Sequence, residues 1–329
     1  MLKQICLGLL LAAALSEARA AWTLTEGTNT GGPGSAVEVK LDGKLSARFV
    51  HGAGQFKPYL HVFGEDGELL TNAGLDASGK ADGLFPHHRG IYIGWNKITS
   101  DLGAFDLWHF NNGGKMNVAK FEKLEGGRDA ATLVATIEWR GGKKDAAGSD
   151  LLLTETRTLV ISRPEGKRTQ VDARFELKAA RDLTLGGDLQ HAGIHFRGAK
   201  ELPARKTETS YLWQPDLPGP GGKVSSTNLQ WCRLLFPIGA QWYASTELNA
   251  PANPVEDLSW RDYGRFGFFF KKSLPKDETL RLNYRFLTER VAAPANQPKP
   301  SPQQSKISRT EAQAQYDAFV KSLQQAGGR

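Results

Sequence analysis

Seven histidines occur in this chain of 329 residues, and two groups of them sit where side chains could do chemistry. The first is Phe85-Pro86-His87-His88-Arg89-Gly90. Pro86 pushes its predecessor into an extended conformation, and Gly90 lets the chain turn into the run that begins at Ile91. Two imidazoles and a guanidinium thus fall at a loop-to-strand junction, where sites are commonly built. An imidazole titrates near neutrality, which suits His88 to donate or accept a proton. His87 and Arg89 beside it would bind substrate. The plainer alternative is a solvated basic turn, although two adjacent imidazoles next to an arginine repel one another when charged.

The second group is Asp188-Leu189-Gln190-His191-Ala192-Gly193-Ile194-His195-Phe196-Arg197. As a strand it places His191, Gly193, His195 and Arg197 on one face and Ala192, Ile194 and Phe196 on the other. The apolar set goes to a core and the polar set lines a surface or cleft, with Gly193 leaving room above it. His191 and His195 are roughly 13 Å apart along a strand, so one metal ion does not take both unless the strand bends. A zinc site would need ligands from elsewhere, such as His61, His88 or His109. A hydrogen-bonding and acid–base face is the alternative, with His195 or Tyr263 complementing His88, and with His191 and Arg197 binding substrate. The bland reading is an exposed polar strand face.

Other candidates join by type. Glu155 and Arg157 share a strand face, either as a cross-strand ion pair or with Glu155 joining the catalytic set by orienting one of the substrate-holding arginines, Arg89 or Arg197. Trp260-Arg261-Asp262-Tyr263-Gly264-Arg265 is an aromatic–basic turn that offers Tyr263 and Arg265. Arginines suit anionic or hydroxyl-rich ligands through charge-assisted hydrogen bonds. Trp95, Trp108, Trp213, Trp242 and Trp260 could stack on sugar rings or fill a core. There is no Gly-rich phosphate loop, nucleophile elbow, His-Glu-x-x-His or paired-cysteine zinc pattern. No cofactor is indicated.

The elements that must position these groups are strands. Val171, Ala173, Phe175 and Leu177 alternate with polar residues, as do Leu280, Leu282, Tyr284 and Phe286, and Leu133, Ala135, Ile137 and Trp139. Period two over such lengths means half-buried antiparallel strands. Many short strands separated by Gly- and Pro-rich turns predict an all-β fold, a large antiparallel two-sheet sandwich of supersandwich type. A Pro-rich linker is expected over 291–306. An amphipathic C-terminal helix follows over 307–325, with Ser308 and Glu311 at capping-box spacing and Tyr316, Phe319, Val320 and Leu323 on one stripe. It should dock on its own body or on a neighbouring subunit.

Residues 1–20 read as a signal peptide: Lys3, an apolar run from Ile5 to Leu15 and Ala18-Arg19-Ala20. The main domain would span 21–290, with a periplasmic or secreted location. The formal charge of +7 is concentrated at the ends, with +1 in the leader and +4 from Arg290 onward. A body left at +2 without a basic, aromatic-interleaved stripe makes nucleic acid an improbable partner. No apolar stretch after the leader is long enough to span a membrane. Cys232, the sole cysteine beyond the leader, sits in an apolar strand-like run and reads as a small core hydrophobe.

Taken in order, Lys57-Pro58-Tyr59-Leu60-His61, His87-His88-Arg89-Gly90, Phe105-Asp106-Leu107-Trp108-His109, Thr154-Glu155-Thr156-Arg157 and Trp260-Arg261-Asp262-Tyr263-Gly264-Arg265-Phe266 resemble the DUF6807 family. Its members are often labelled "PmoA family" after a methane-oxygenase subunit with several membrane helices, which this chain lacks after its leader. The resemblance covers most of Ala36 to Leu287. It departs at Gln190–Arg197, which is richer in histidine here. It implies an exported bacterial protein with a sugar-related role. The expected function is therefore carbohydrate processing by acid–base chemistry (elimination, epimerisation or hydrolysis) on a small or oligomeric sugar. The alternatives are a non-catalytic glycan-binding or envelope module and a histidine-ligated metalloenzyme.

Overall fold

In a computed structural model the described residues are 21–164, 168–215, 223–224, 229–294 and 302–327. The expected leader and residues 295–301 of the expected linker lie outside them. The architecture is all-β, with three antiparallel sheets. The largest has nine strands in the order Trp22–Thr28, Ser35–Leu41, Lys44–His51, Tyr59–Val62, Ile91–Trp95, Ala192–Arg197, Arg265–Phe269, Asp257–Arg261 and Lys223–Val224. The second has eight: Ser210–Gln214, Trp231–Ile238, Gln241–Asn249, Thr279–Val291, Arg168–Ala179, Leu151–Ser162, Ala130–Arg140 and Lys115–Gly126. A small third sheet joins Lys272–Leu274, Leu183–Gly186, Lys97–Ser100 and Gly103–Phe105.

The two large sheets form a sandwich because each strand offers one apolar face. Leu133, Ala135, Ile137 and Trp139 are fully buried, and Val171, Ala173, Phe175 and Leu177 are nearly so. Across the gap they share one core with Val37, Phe49, Ile93, Ile194 and Phe268 of the larger sheet. Trp95 of one sheet meets Trp139 of the other at 6.0 Å between ring centres. Cys232 is buried in this core, and its thiol pKa is pushed up by burial.

The C-terminal helix is longer than its sequence pattern suggests. It runs Pro302–Gly327, so Ser308 lies inside it rather than at its start. Pro302 opens it, in keeping with the tolerance of proline in a first turn, and the Ser308 hydroxyl is buried without a partner instead of capping. Ala312, Tyr316 and Phe319 pack on Leu212, Trp231, Leu235, Ala244 and Leu248 of the eight-stranded sheet. The helix thus covers the outer face of its own body. Among the described residues no helix is long and apolar enough to cross a membrane.

The outer face of the nine-stranded sheet carries the histidines. In the strands Ile91–Trp95, Ala192–Arg197 and Arg265–Phe269, the residues Ile91, Ile93, Trp95, Ile194, Phe196, Phe266 and Phe268 turn inward. Tyr92, His195 and Gly267 therefore form one cross-strand row on the other face. Gly267 makes room for its neighbour, since a Cβ there would stand 2.6 Å from the His195 ring.

Candidate functional site

Three loops close over that row. Lys57, His88 and Trp108 come from them and pack against Tyr92 or His195, and His87 packs on His88. The loop before Ile91 is pinned by Asn72, whose amide donates to the His88 carbonyl at 2.7 Å and whose own carbonyl accepts from Gly90 at 3.0 Å. Gly90 is required here: φ is 56°, and a Cβ would fall 2.3 Å from the Leu60 carbonyl. Phe85 and Phe110, which flank the histidine loops, adopt φ of 54° and 65°. Bulky side chains rarely hold this left-handed conformation, and it costs about 1–3 kcal/mol each.

At the mouth lie three imidazoles side by side. His87 and His109 are 4.7 Å apart between ring centres, and His109 and His191 are 4.8 Å apart. His109 and His191 share one local design. Asp106 Oδ1 accepts the backbone N–H groups of Trp108 and His109, and Asp106 Oδ2 accepts from His109 Nδ1 at 2.8 Å. Asp188 Oδ1 accepts the Gln190 N–H and, at 2.9 Å, His191 Nδ1. Burial is the largest single influence and works to raise the pKa of both carboxyls, but the histidine and backbone N–H hydrogen bonds and the histidine charge together outweigh it and hold both below the usual range. An ionised carboxylate only accepts, so each Nδ1 keeps its proton and each Nε2 is left free.

His88 is 2 % exposed. Its Nε2 accepts the Trp108 indole N–H at 3.2 Å, and its Nδ1 has no partner. Burial first, then Arg265, His87 and Lys57, lowers its pKa well below the ordinary value. His88 is therefore a neutral imidazole with a buried N–H available to an incoming acceptor, rather than a group poised near neutrality. His87 is lowered to about 3 by burial and by Lys57, and its Nε2 is also unpartnered.

The expected residues are gathered, but not in the expected roles. His195 is fully buried with both ring nitrogens engaged, Nε2 donating to the Ala192 carbonyl and Nδ1 accepting from Arg265. It has no free nitrogen for proton transfer and serves to position Arg265. Arg197 and Arg265 are buried behind the mouth rather than lining it; Arg197 donates to the carbonyls of Tyr263 and Leu84 and stacks on the Tyr263 ring. Tyr263 is half-buried between Arg197 and Phe85, and its hydroxyl accepts from Arg265. Arg89 reaches Gln55 and the Pro86 carbonyl. Glu155 does not join the cluster. It lies in the sandwich core, where it takes Arg157 Nε at 2.5 Å and the Trp139 indole at 2.7 Å. Trp108 is fully buried and orients His88 instead of stacking on a ligand. Gly193 does not open space either: φ is 88°, and a Cβ would stand 1.8 Å from the Phe268 carbonyl.

Sequence reading missed Asp106, Asp188, Lys57 and Tyr92 as site residues and offered His109 only as a metal ligand. The signal for the two aspartates and for their pairing with His109 and His191 was present: Asp106-Leu107-Trp108-His109 and Asp188-Leu189-Gln190-His191 repeat the pattern Asp-Leu-x-His. Lys57 is buried with its ammonium 3.9 Å above the Tyr92 ring, and its pKa is lowered by that burial. Among the described residues no three His, Cys, Asp or Glu side chains are arranged to hold a metal ion.

No curated protein matches the chain. Solved structures give distant likenesses. A heparan sulfate lyase mutant from Pedobacter heparinus is 13% identical with a TM-score of 0.38, the match covering 82% of this chain and 37% of that one. A galactose mutarotase related enzyme from Lactobacillus acidophilus is 7% identical with a TM-score of 0.36, covering 82% and 98%. At such scores they assign neither substrate nor reaction. Residues 36–297, which contain every group described above, match DUF6807, a family of unknown function, and the chain belongs to that family.

Proposed function

We propose that this chain is an exported carbohydrate-processing protein that moves protons on a sugar held at the histidine-lined mouth. The observation that carries the reading is the pair of carboxylate-backed imidazoles, His109 and His191, 4.8 Å apart with both Nε2 atoms free. A carboxylate on one ring nitrogen fixes the tautomer and supports the charge that forms when the other nitrogen takes a proton. One such imidazole acts as base and the other, once protonated, as acid, which serves an elimination, epimerisation or hydrolysis. The His88 N–H offers a neutral hydrogen bond to a substrate oxygen. Phe56 and Phe85 are 54 % and 40 % exposed beside the histidine loops and offer apolar planes to the C–H faces of a sugar. The leader-type pattern of residues 1–20 supports export.

A second reading draws on the same pairs, because metal-ligating histidines also hold a carboxylate on the other nitrogen. The side chains as they stand are not arranged around an ion, and elemental analysis of the purified protein decides it.

The test is incubation of a panel of sugars with the protein in D2O, followed by NMR for deuterium at ring carbons and for new products. Turnover by the wild type and a loss of about 10²–10⁴-fold in His109→Ala and in His191→Ala are expected. Binding without turnover by the wild type would make this a glycan-binding module. Unchanged turnover in both variants would remove the site.

A further inference from the structure

Among the described residues, four basic side chains are buried around this site without a salt bridge to a carboxylate, and only Lys57 feels one, Asp106, through its field. Lys57, Arg89, Arg197 and Arg265 are 3 %, 7 %, 0 % and 1 % exposed. Their hydrogen bonds go to carbonyls of Trp108, Pro86, Tyr263, Leu84 and Gln190 and to the side chains of Gln55, Tyr263, His195 and Ser259. The other buried arginines differ: Arg157 holds Glu155 and Arg233 holds Glu289. The carboxylates of the mouth, Asp106 and Asp188, are each taken by a histidine.

Removing a cation from water without a counter-charge is costly, and this site repeats that cost four times. Buried polar atoms are also left unpartnered on Arg197 and on the residues around these cations: His88 Nδ1, Arg197 Nε, the Tyr92 hydroxyl and, at the mouth, His87 Nε2. Both features are resolved by a negatively charged ligand group that accepts hydrogen bonds.

We infer that the sugar taken at this site is acidic, carrying a carboxylate or a sulfate ester that binds at His87 and His88 in the field of Lys57, Arg89, Arg197 and Arg265. The inference rests on the sugar-processing reading for the sugar and on the unpaired cations for the charge.

The test is calorimetric titration of the full chain with matched pairs: glucuronate and glucose, galacturonate and galactose, mannuronate and mannose. Galactose 6-sulfate stands beside galacturonate to separate sulfate from carboxylate, and inorganic sulfate serves as an anion without a sugar. Expected is a preference of tenfold or more for the acidic member of at least one pair, weakening as salt is raised. Arg89→Gln and, as a second variant, Lys57→Met should shrink that preference more than they weaken the neutral sugar. A neutral sugar bound as well as its acid overturns the inference and leaves the sugar-processing reading standing. Sulfate binding with no sugar bound overturns the sugar-processing reading and the acidic sugar with it, and leaves only an anion site. Binding of none of these ligands overturns both.

Discussion

Trp108 donates its indole N–H to His88 Nε2 at 3.2 Å, and this contact decides what His88 can do. An indole only donates, so the acceptor nitrogen is unprotonated and the proton of the neutral ring sits on Nδ1. Because burial holds the folded pKa below that of the unfolded chain, His88 contributes stability above about pH 6.5 that is lost as the pH falls. At about pH 6.5, where an ordinary imidazole is half protonated, the ¹⁵N signals of His88 should report a neutral Nδ1–H tautomer. Trp108→Phe should release the proton to Nε2 and destabilise by about 1–3 kcal/mol. An imidazolium signal from His88 at pH 6 would contradict the assignment.

Glu155 and Arg157 form a pair sealed in the sandwich, with side chains 0% and 3% exposed. Arg157 also donates to the Pro58 carbonyl at 3.1 Å, which ties the pair to the residue next to Lys57. Removing one partner of a buried pair strands the other and costs about 3–5 kcal/mol. Glu155→Ala should therefore lower the denaturation midpoint by an amount of that order. A variant as stable as wild type would show that the pair is not closed to water.

Glu247 and Glu256 are fully buried, with no salt bridge to a cation among the described residues. Glu247 has neither oxygen partnered, and Glu256 accepts only the Tyr284 hydroxyl, at 2.7 Å. Burial, with Glu256 adding repulsion, pushes Glu247 well above the usual carboxyl range, and burial raises Glu256 to about 8. In both, the folded pKa exceeds the unfolded one. The stability they contribute is thus present below about pH 4.5 and is lost as the pH rises through the folded values, near 8 for Glu256. Lys57, lowered by burial, acts in the opposite sense, so the clean measure is a difference. The stability of Glu247→Gln/Glu256→Gln relative to wild type should grow between about pH 5 and pH 8 in urea denaturation. A pH-independent difference would mean that the carboxyls reach water or a counter-ion.

The sandwich was legible because its strands obey one rule. From Thr132 to Arg140 and from Arg168 to Leu177 the alternation of apolar and polar residues states which face is buried. The strand Ala192–Arg197 obeys it too, but both its faces are covered, so His195 and Arg197 look from sequence like surface groups. Loops 85–90 and 106–110 cover them from far away in the chain, and period two says nothing about that. The short strands Lys97–Ser100, Gly103–Phe105 and Lys272–Leu274 carry too few residues for a pattern. The helix start was misplaced because Ser308 and Glu311 have capping-box spacing six residues inside a helix whose first turn begins at Pro302.

Gly193→Ala tests whether the sheet positions the histidines. The added methyl group meets the Phe268 carbonyl and sits at a φ of 88°, so the strand must part from Arg265–Phe269 or fail to form. His195 pairs with Gly267 in that register and holds Arg265. The variant should be insoluble or should lose several kcal/mol. A soluble, fully active Gly193→Ala protein would refute the close approach.

The Asp-Leu-x-His pairs supply the sharpest test of the chemistry. With aspartate at 106, His109 Nδ1 must donate and Nε2 must be the free base. Asp106→Asn can keep the turn, since an amide oxygen still accepts the N–H groups of Trp108 and His109. The amide nitrogen, however, takes the place of Oδ2 and is itself a donor. The imidazole must then offer the Nδ1 lone pair and carry its proton on Nε2, which turns a base into a hydrogen-bond donor. Activity should fall about 10²–10⁴-fold, with the circular dichroism spectrum and denaturation midpoint close to wild type and with the ¹⁵N tautomer signature of His109 reversed. Asp188→Asn should do the same to His191. If only one substitution abolishes turnover, that histidine is the base and the other a binding group. If the tautomer reverses while turnover persists in both variants, neither His109 nor His191 transfers the proton.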